Sequence, residues 1–440
     1  MKTILQFFLF FFLSAYLFGQ EEKKISGQAD AAQIRPASER IDLYLPLLKG
    51  KSIGVFANQT SLVGRKHLVD TLLDLGVQVK KIFAPEHGFR GDADAGEHIN
   101  STRDEKTGIQ IVSLYGNRQK PMAEDLKGID LLLFDIQDVG ARFYTYISSL
   151  QQFIEAALEN GKPLVILDRP NPNGFYVDGP VLDIKFKSFV GLQPIPVVYG
   201  MTIGEYASML LGERWIKSAP YGTVLRKEEK ESAGMSRKKI QTGARADRRH
   251  ILSTTLTLEN NNEFLLKIIH CQYYTHKSKY LLPVPPSPNL PNMQSVYLYP
   301  SLCFFEGTAF SLGRGTEKPF QVFGSPFFPD HIDSFIPRSV RGAKNPPLLN
   351  QTCYGRDLSR IDPLLEIKDH LQLKWLFEAY RLFPDKTGFF LSSNYFNTLA
   401  GTDILMRQIK EGISEEEIRK SWEPALSKFK EIREKYLLYP

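Results

Sequence analysis

Cysteine is scarce in this sequence. Only Cys271, Cys303 and Cys353 occur among the 440 residues, so their number is odd. Their spacing does not match the paired cysteine and histidine ligands of a structural zinc site. The sequence therefore argues against a disulfide scaffold and against a structural zinc ion.

A strong excess of one charge sign is also missing. The chain has 55 lysine and arginine residues against 49 acidic ones, which gives a formal net charge of +6 at pH 7. Nucleic-acid-binding domains usually concentrate a larger basic excess on one surface, so we expect no nucleic-acid partner. With 42% hydrophobic and 24% charged residues, the composition is typical of a globular protein.

No apolar run is long enough to cross a membrane. The longest covers residues 4–18, about 15 residues, whereas a spanning helix needs roughly 20. Lys2 precedes this run and polar residues follow from residue 20, which is the pattern of a secretory signal peptide. We predict cleavage after Gly19, a linker over residues 20–40, and a mature protein that is periplasmic or secreted and has no membrane span.

Nucleotide-binding motifs are absent too. No glycine-rich fingerprint follows the first predicted strand, and no phosphate-binding loop ending in Gly-Lys-Ser or Gly-Lys-Thr occurs. A Gly-x-Ser-x-Gly nucleophile elbow is also missing, which argues against a serine hydrolase of the α/β type. We therefore predict no cofactor, and carboxylates remain the candidate catalytic groups.

Strand and helix patterns alternate through the first half of the chain. Short β-rich apolar runs predict strands at residues 52–57, 79–84, 110–114, 131–136, 163–167 and 195–199. Helices are expected at residues 67–75, 144–159 and 203–211, and Thr202 with Glu205 forms a capping box for the last of them. This alternation predicts an α/β fold with a mostly parallel sheet and helices on both faces, a Rossmann-like domain over residues 41–212.

The pattern changes after residue 212. Residues 217–262 are rich in lysine and arginine and show little apolar periodicity, so we expect a solvated insertion or flexible loop there, with a polyanion site as the alternative. We describe residues 213–262 as an atypical basic insertion and residues 263–440 as a C-terminal α/β domain. Near the end, Ser414 and Glu417 form a second capping box, and the helix that follows is expected to kink or restart at Pro424.

Polar residues follow the predicted strands one after another. In open α/β sheets, ligands bind beyond the carboxyl ends of the strands, so these residues mark the candidate active site. They are Asn58, Glu86, His87, Arg90, Tyr115, Asp135, Asp138, Arg142, Asp168, Arg169 and Asn171.

Glu86 is the first candidate acid or base at this edge. Its apolar neighbours Phe83 and Phe89 can desolvate the carboxyl and raise its pKa. Alternatively, Glu86 accepts hydrogen bonds from backbone N–H groups of the following loop. Asp135 or Asp138 could supply the second carboxylate that hydrolysis of a glycosidic bond requires, although either could instead cap the following helix.

Two further groups bear on metal and anion binding. A possible metal cluster with Glu86 and His87 would consist of Asp92, Asp94, Glu97 and His98. Their spacing matches no standard ligand motif, so we predict no metal site. Arg169 and Arg314 are candidates to clamp a carboxylate or phosphate through two hydrogen bonds, or to form structural ion pairs.

Several distinctive sequence segments lie at the ends of the predicted strands and in the second half of the chain. They cover residues 58–60, 84–91, 95–97, 113–116, 134–146, 167–172, 200–205, 286–291, 299–300, 305–308, 311–316 and 319–320. In these segments the chain resembles the NamZ-type exo-β-N-acetylmuramidases, a glycoside hydrolase family formerly described as a domain of unknown function. The resemblance extends over about residues 41–440, with residues 217–262 as an exception.

This resemblance implies a Rossmann-like domain followed by a smaller mixed α/β domain, with the active-site cleft between them. It implies an exo-acting hydrolase that releases terminal β-N-acetylmuramic acid from peptidoglycan fragments, with Glu86 as the main catalytic residue. We expect Glu86 to be the general acid and His87 to help set its ionisation, with Asp135 or Asp138, rather than Glu306, as the partner carboxylate. The substrate-binding candidates are Asn58, Arg90, Glu97, Tyr115, Arg142, Asp168, Arg169, Asn171, Glu306 and Arg314.

Two other functional classes stay open at this point. A metal- or carboxylate-dependent amidase or esterase would act on another cell-wall bond, and in the metal-dependent case a chelator would abolish its activity. A non-catalytic glycan-binding protein would keep its function after Glu86→Gln.

Overall fold

The structure, a computed structural model, describes residues 33–86, 88–91, 102–217, 224–231, 248, 251–259 and 264–440. The predicted signal peptide, most of the predicted linker, His87 and Glu97 lie outside these residues. Residues 35–440 belong to one compact unit. None of the helices in the described ranges is long and apolar enough to cross a membrane.

Fourteen strands and ten α-helices are assigned within the described ranges. The strands are β1 (Ser52–Ala57), β2 (Leu62–Val63), β3 (Lys66–His67), β4 (Gln78–Ala84), β5 (Thr102–Arg103), β6 (Gln110–Ser113), β7 (Leu131–Asp135), β8 (Leu164–Leu167), β9 (Val224–Glu231), β10 (Ile251–Glu259), β11 (Phe264–Ile269), β12 (Val322–Ser325), β13 (Asp333–Phe335) and β14 (Cys353–Asp357). The helices are α1 (Ile41–Leu48), α2 (Leu68–Asp74), α3 (Tyr146–Glu159), α4 (Ile203–Gly212), α5 (Met293–Leu302), α6 (Pro363–Ile367), α7 (Lys374–Leu382), α8 (Tyr395–Ala400), α9 (Ile404–Lys410) and α10 (Glu415–Glu434).

The main sheet has nine strands in the order β5-β6-β4-β1-β7-β8-β11-β10-β9. The six strands from β6 to β11 run parallel, and β5, β10 and β9 are antiparallel additions at the two edges. β1 is the first strand of the sheet along the chain. The next parallel strands, β4 and β6, lie on one side of it, and the later strands β7, β8 and β11 lie on the other side. This is the doubly wound order, and ligands of such sheets bind at the carboxyl edge near the reversal between β1 and β7.

The central strands are apolar because helices cover both faces of the sheet. Every residue of β7 is buried, and the rings of Phe56 and Phe134 stack with centroids 4.7 Å apart. Phe153 of α3 packs edge-on against Phe56 at 5.2 Å, which fixes this helix over the sheet. The predicted α/β fold with a mostly parallel sheet is confirmed.

A smaller part of the structure follows α5. It contains the antiparallel sheet β12-β14-β13 and the helices α6 to α10. Its core is aromatic, with Phe305 stacked on Phe323 at 4.8 Å and Phe310 packed near both. This part is the smaller mixed α/β region expected after the Rossmann-like region.

Both predicted capping boxes are present. Thr202 Oγ1 accepts a hydrogen bond from the Glu205 N–H at 3.2 Å, and a Glu205 carboxylate oxygen accepts from the Thr202 N–H at 2.9 Å. Ser414 and Glu417 make the same exchange at the start of α10. The helix α10 runs without interruption through Pro424, so the expected restart does not occur.

The predicted strand at residues 195–199 does not form. Val198 makes isolated β-bridges to Ala141 and Asp178 instead, which lie in the segments after β7 and β8.

The expectation of a solvated loop in residues 217–262 is wrong for the described part of that segment. Its strands β9 and β10 extend the main sheet, and Leu256 and Leu258 of β10 are buried. The charged run from Arg226 to Lys230 is exposed on the outermost strand. An edge strand with exposed, charged side chains shows no apolar periodicity, so the sequence pattern did not indicate it.

Candidate active site

A pocket of about 70 Å³ lies where the carboxyl edge of the main sheet meets the second half of the chain. Its lining side chains come from the turn after β4, from the start of α3, and from loops and helices beyond residue 286. They are Glu86, Phe143, Tyr144, Thr145, Tyr146, Ser287, Asn289, Leu290, Tyr299, Arg314 and Phe320.

Glu86 stands two residues beyond the end of β4. The last residues of β4, Phe83 and Ala84, are buried in the sheet, and Glu86 itself is half-buried at the pocket wall. Burial raises the pKa of the Tyr146 phenol above its ordinary value, and the negative charge of Glu86 adds to this effect. The structure therefore places the predicted main catalytic carboxylate in the pocket and beside a tyrosine.

Two tyrosines form one wall of the pocket. Asn58 Nδ2 donates a hydrogen bond to Tyr146 Oη at 2.9 Å, and Tyr144 Oη donates to the carbonyl of Pro286 at 2.9 Å. The two rings meet edge to face at 4.7 Å. These bonds link the end of β1 to a loop more than two hundred residues later, so Asn58 supports the wall from behind instead of lining the pocket.

Arg314, which also lines the pocket, forms an ion pair with Glu306. Arg314 Nε and Nη2 lie 2.8 and 2.7 Å from the same oxygen, Glu306 Oε1, and the guanidinium lies 5.0 Å from the centre of the Phe320 ring. Burial lowers the pKa of Arg314, but the charge of Glu306 outweighs burial, so the pKa is raised and Arg314 stays cationic. Arg314 lines the pocket, whereas Glu306 lies behind it.

Asp135 and Arg169 are bound to each other inside the protein. Arg169 Nε donates to Asp135 Oδ1 at 2.6 Å and Nη2 donates to Oδ2 at 2.8 Å, with both side chains buried. Burial lowers the pKa of Arg169, but the carboxylate of Asp135 more than compensates, so the pKa is raised. Neither residue lines the pocket. The pair joins the end of β7 to the loop after β8, which is the structural ion pair that the sequence left as an alternative.

Asp138 is buried behind the tyrosine wall. The hydroxyl of Tyr199 and the N–H of Gly140, at 2.6 Å, both donate to Asp138 Oδ2. Oδ1 has no hydrogen-bond partner among the described residues. Burial raises the pKa of Asp138 to about 7. Its charge acts on Tyr144 and Tyr146, so Asp138 lies close to the pocket without lining it.

Asp168 is bound on both carboxylate oxygens. Its four donors are the N–H groups of Arg169 and Gly204 and the hydroxyls of Thr202 and Tyr439. Burial raises the pKa of Asp168 to about 7 against the opposing effect of these donors. Asp168 therefore joins β8 to the start of α4, away from the pocket lining.

Asn171 holds two loops together. Its Nδ2 donates to the carbonyl of Met201 at 2.8 Å, and its Oδ1 accepts from the N–H of Asn173 at 2.8 Å.

Gly140 packs directly on Asn171 with a φ of +78°, and a Cβ at residue 140 would lie 2.2 Å from Asn171 Oδ1. A side chain at residue 140 is therefore excluded, both by this contact and by its left-handed backbone.

The remaining predicted binding residues lie outside the pocket lining. Arg90 pairs with Asp104 at 2.9 Å and with Asp70 at 3.3 Å. Tyr115 is half-buried after β6. The buried guanidinium of Arg142 donates to the carbonyls of Pro180, Ile195, Leu399 and Ala400.

Of the predicted site residues, the pocket brings together Glu86 and Arg314. The sequence analysis did not predict Tyr144, Tyr146 and Tyr299 as site residues. All three lie in segments that carry the family resemblance. The signal for them was therefore present in the segment 134–146 and in residues 299–300. His87 and the residues that were considered as a metal cluster and rejected, Asp92, Asp94, Glu97 and His98, lie outside the described residues.

The comparisons with known proteins cover nearly the whole compact unit. The family model described as exo-β-N-acetylmuramidase NamZ, N-terminal, matches residues 53–294, and the C-terminal model of the same description matches residues 297–439. The peptidoglycan β-N-acetylmuramidase NamZ of Bacillus subtilis (strain 168) is 36% identical over 420 residues, covering 91% of this chain and 90% of that protein.

Two solved structures are also similar. Both are DUF1343 family proteins from Bacteroides fragilis NCTC 9343. One has a TM-score of 0.77 and 42% identity, covering 93% of this chain and 99% of that one. The other has a TM-score of 0.71 and 26% identity, with coverage of 92% and 99%. The chain therefore belongs to the NamZ exo-β-N-acetylmuramidase family.

Proposed function

We propose that this chain is an exo-acting glycosidase that releases terminal β-N-acetylmuramic acid from peptidoglycan fragments. The observation that carries the proposal is a half-buried carboxylate, Glu86, in a pocket that also contains aromatic rings and the cationic Arg314. Membership of the NamZ family supports the same substrate class.

Glu86 serves as the general acid in this mechanism. It donates a proton to the oxygen that leaves the anomeric carbon. Its position in the lining of the pocket supports this role. The rings of Tyr144, Tyr146 and Tyr299 offer apolar surface to the sugar ring, with hydroxyl groups at their edges.

Among the described residues, Glu86 is the carboxylate that lines the pocket. Asp135 is paired with Arg169, and Asp138 lies behind the tyrosine wall. This arrangement favours participation by the acetamido group of the substrate, which replaces an enzyme nucleophile in some glycosidases. Asp138 lies behind the tyrosine wall and would then act on the substrate only through Tyr144 and Tyr146.

Arg314 is the better candidate for reading the lactyl carboxylate that distinguishes muramic acid from glucosamine. Its Nε and Nη2 bind Glu306, and its Nη1 makes no hydrogen bond within the described part of the chain. Arg169, the other candidate, has its guanidinium committed to Asp135. A substrate carboxylate can therefore reach Arg314 but not Arg169.

Export of the protein completes the proposal. Peptidoglycan lies outside the cytoplasm, and residues 1–19 have the pattern of a cleaved signal peptide. We therefore place the mature enzyme in the periplasm or the medium.

The test is hydrolysis of 4-nitrophenyl β-N-acetylmuramide beside the corresponding glucosaminide, with the purified mature chain. We expect turnover of the muramide and little turnover of the glucosaminide. The proposal is wrong if the protein hydrolyses neither substrate and also leaves terminal muramic acid on peptidoglycan fragments. Loss of activity with a chelator would instead favour a metal-dependent hydrolase.

A further inference from the structure

Tyr395 is a half-buried tyrosine beside the candidate active site that the pocket lining does not include. Burial raises the pKa of its phenol above the ordinary value, and the charges of Glu306, Arg314 and Glu86 also act on it. The side chain therefore lies within electrostatic range of both sides of the pocket, the Glu86 side and the Arg314 side.

The backbone next to Tyr395 is held firmly against the Arg314 side. Phe396, the following residue, is fully buried, and its Cα would lie 2.4 Å from a Cβ added to Gly307. The N–H of Leu391 donates to the carbonyl of Gly307 at 3.0 Å. Because Glu306 directly precedes Gly307, these contacts fix the position of Tyr395 relative to the Glu306–Arg314 pair.

The Tyr395 hydroxyl makes no hydrogen bond to any described residue, and it is not among the buried polar atoms that lack a partner. It is therefore open to solvent or to a ligand. Arg314 Nη1 is likewise open to solvent or to a ligand, because Glu306 binds only Nε and Nη2.

The charge balance at this side of the pocket explains why a second donor is needed. Glu306 neutralises most of the charge of Arg314, and Glu86 adds another negative group nearby. A carboxylate entering the pocket would therefore gain less from Arg314 than from an unpaired guanidinium, and a second donor would strengthen its binding. A neutral phenol can donate a charge-assisted hydrogen bond without changing this balance.

We propose that Tyr395 and Arg314 Nη1 together bind the lactyl carboxylate of the terminal muramic acid, so that Tyr395 helps to select this sugar over glucosamine. The inference rests on the proposed function for its substrate class. It adds a specificity-determining residue from α8, a helix that no sequence motif had indicated.

The test measures binding of the free sugars by isothermal titration calorimetry, which does not depend on turnover. The probes are N-acetylmuramic acid, its methyl ester, which lacks the negative charge, and N-acetylglucosamine. We expect Tyr395→Phe to weaken binding of N-acetylmuramic acid about tenfold. Binding of N-acetylglucosamine should change less than about twofold, because this sugar has no carboxylate to accept the hydrogen bond. The ester, a neutral acceptor, should lose less affinity than the acid.

Tyr354→Phe is the matched control. Tyr354 is also half-buried in the smaller part of the structure, but it stacks on His331 at 3.8 Å, on strand β14. The control variant should bind all three sugars as the wild type does. Thermal unfolding of both variants shows whether either substitution alters the fold.

The outcomes separate this inference from the proposed function. If the wild type hydrolyses the muramide but Tyr395→Phe leaves all three affinities unchanged, or lowers them equally, the role of Tyr395 is refuted and the function stands. If the wild type is inactive yet shows the Tyr395-dependent preference, the role stands and the glycosidase proposal fails. If the wild type does not bind N-acetylmuramic acid, the role of Tyr395 is refuted, and the glycosidase proposal is overturned with it only if the muramide is not hydrolysed either.

Discussion

Single side chains at the carboxyl edge of the main sheet divide into those that face the pocket and those that hold the fold together. Glu86 and Arg314 belong to the first group. Asp135, Asp168 and Arg169 belong to the second, because each is buried and bound by other protein groups. This division leads to different expected results for substitutions of chemically similar residues.

Replacement of Glu86 tests its role as general acid. Glu86→Gln should lower turnover of a natural disaccharide by about a hundredfold to ten-thousandfold. The loss should be much smaller on an aryl muramide, because a good leaving group departs with little protonation. Steady-state kinetics on both substrates decide this, with Glu411→Gln at an exposed position as the control. An equally complete loss on both substrates would indicate a nucleophile or base instead.

Replacement of Arg314 tests carboxylate recognition. Arg314→Ala should reduce kcat/KM for the muramide by about thirtyfold to a thousandfold, which corresponds to about 2 to 4 kcal/mol. Activity on the glucosaminide, which has no carboxylate, should change much less. The control is Arg407→Ala, an exposed arginine on α9. Equal losses on the two substrates would contradict a role in recognising the carboxylate.

Replacement of Arg169 should affect stability first. Arg169→Ala leaves the carboxylate of Asp135 buried without its partner, so we expect the free energy of unfolding to fall by about 3 to 5 kcal/mol. Removal of both charges in Asp135→Asn/Arg169→Met should restore part of this loss. Urea unfolding measures both effects, and the exposed pair Glu416–Lys420 provides a comparison with little expected change. A stable Arg169→Ala variant with poor muramide activity would show that Arg169, after all, binds substrate.

The raised pKa of Asp138 predicts that the free energy of unfolding depends on pH. That pKa is about 7 in the folded protein, against about 3.9 for an unfolded aspartate. The folded state therefore binds the proton more tightly, and stability is greatest below pH 4 and falls until about pH 7. Between pH 5 and pH 8 the loss from this group amounts to about 2 to 3 kcal/mol.

Asp138→Asn should remove that part of the pH dependence. In the wild type, the Tyr199 hydroxyl and the Gly140 N–H both donate to the same oxygen of Asp138. The amide oxygen of the asparagine can still accept both hydrogen bonds. Unfolding free energies at pH 5 and pH 8 should therefore differ less in the variant than in the wild type. An unchanged difference would mean that Asp138 is already ionised at pH 5 in the folded state.

At the scale of elements, the segment after α10 ties the end of the chain to the main sheet. The N–H of Leu438 donates to Glu205 at 2.7 Å, and the Tyr439 hydroxyl donates to Asp168 at 2.6 Å. The same hydroxyl accepts from the N–H of Cys271 at 2.9 Å. This segment therefore connects the smaller part of the structure to β8, α4 and β11.

Loss of the Tyr439 hydroxyl should weaken this connection. Tyr439→Phe leaves the N–H of Cys271 without its acceptor and removes one donor from Asp168. We expect the free energy of unfolding to fall by about 1 to 3 kcal/mol, because both groups are buried. Urea unfolding measures this loss, with Tyr354→Phe as the comparison, because the Tyr354 ring stacks on His331 and its hydroxyl makes no bond of this kind within the described part of the chain. Equal stability of the two variants would show that the Tyr439 hydroxyl in the segment after α10 contributes little to the free energy of unfolding.

At the scale of the whole molecule, the pocket depends on both halves of the chain. Glu86 and the tyrosine wall come from the first half, and Arg314, Tyr299 and Phe320 from the second. The two family models divide the chain at nearly the same place, between residues 294 and 297. The pocket therefore forms only when the two matched regions fold together.

Export is a prediction about the whole molecule as well. A charged residue, a short apolar run and a polar switch near residue 20 predict a mature chain that begins at or within a few residues of Gln20. N-terminal sequencing of protein from the periplasm or medium of the native host checks this. Soluble cytoplasmic protein that retains Met1 would contradict it.

The sequence by itself determined the parallel sheet, the capping boxes and the place of Glu86. Buried parallel strands are continuous apolar runs, and capping depends on residues three positions apart, so both are visible locally. β1, β4, β6, β7 and β8 accordingly lie within a residue or two of their predicted bounds. Glu86 could be placed at the ligand edge because it directly follows one of these strands.

Only the tertiary structure decided which polar residues of that edge face the pocket. Asp135 and Arg169 are 34 positions apart, and Tyr144 meets Pro286 across 142 positions. No local pattern records such contacts, because they depend on how later segments fold back over the sheet. The same reason applies to β9, whose exposed charges carry no periodicity. It also applies to Tyr395, which is held near the Glu306–Arg314 pair by contacts between Phe396 and Gly307.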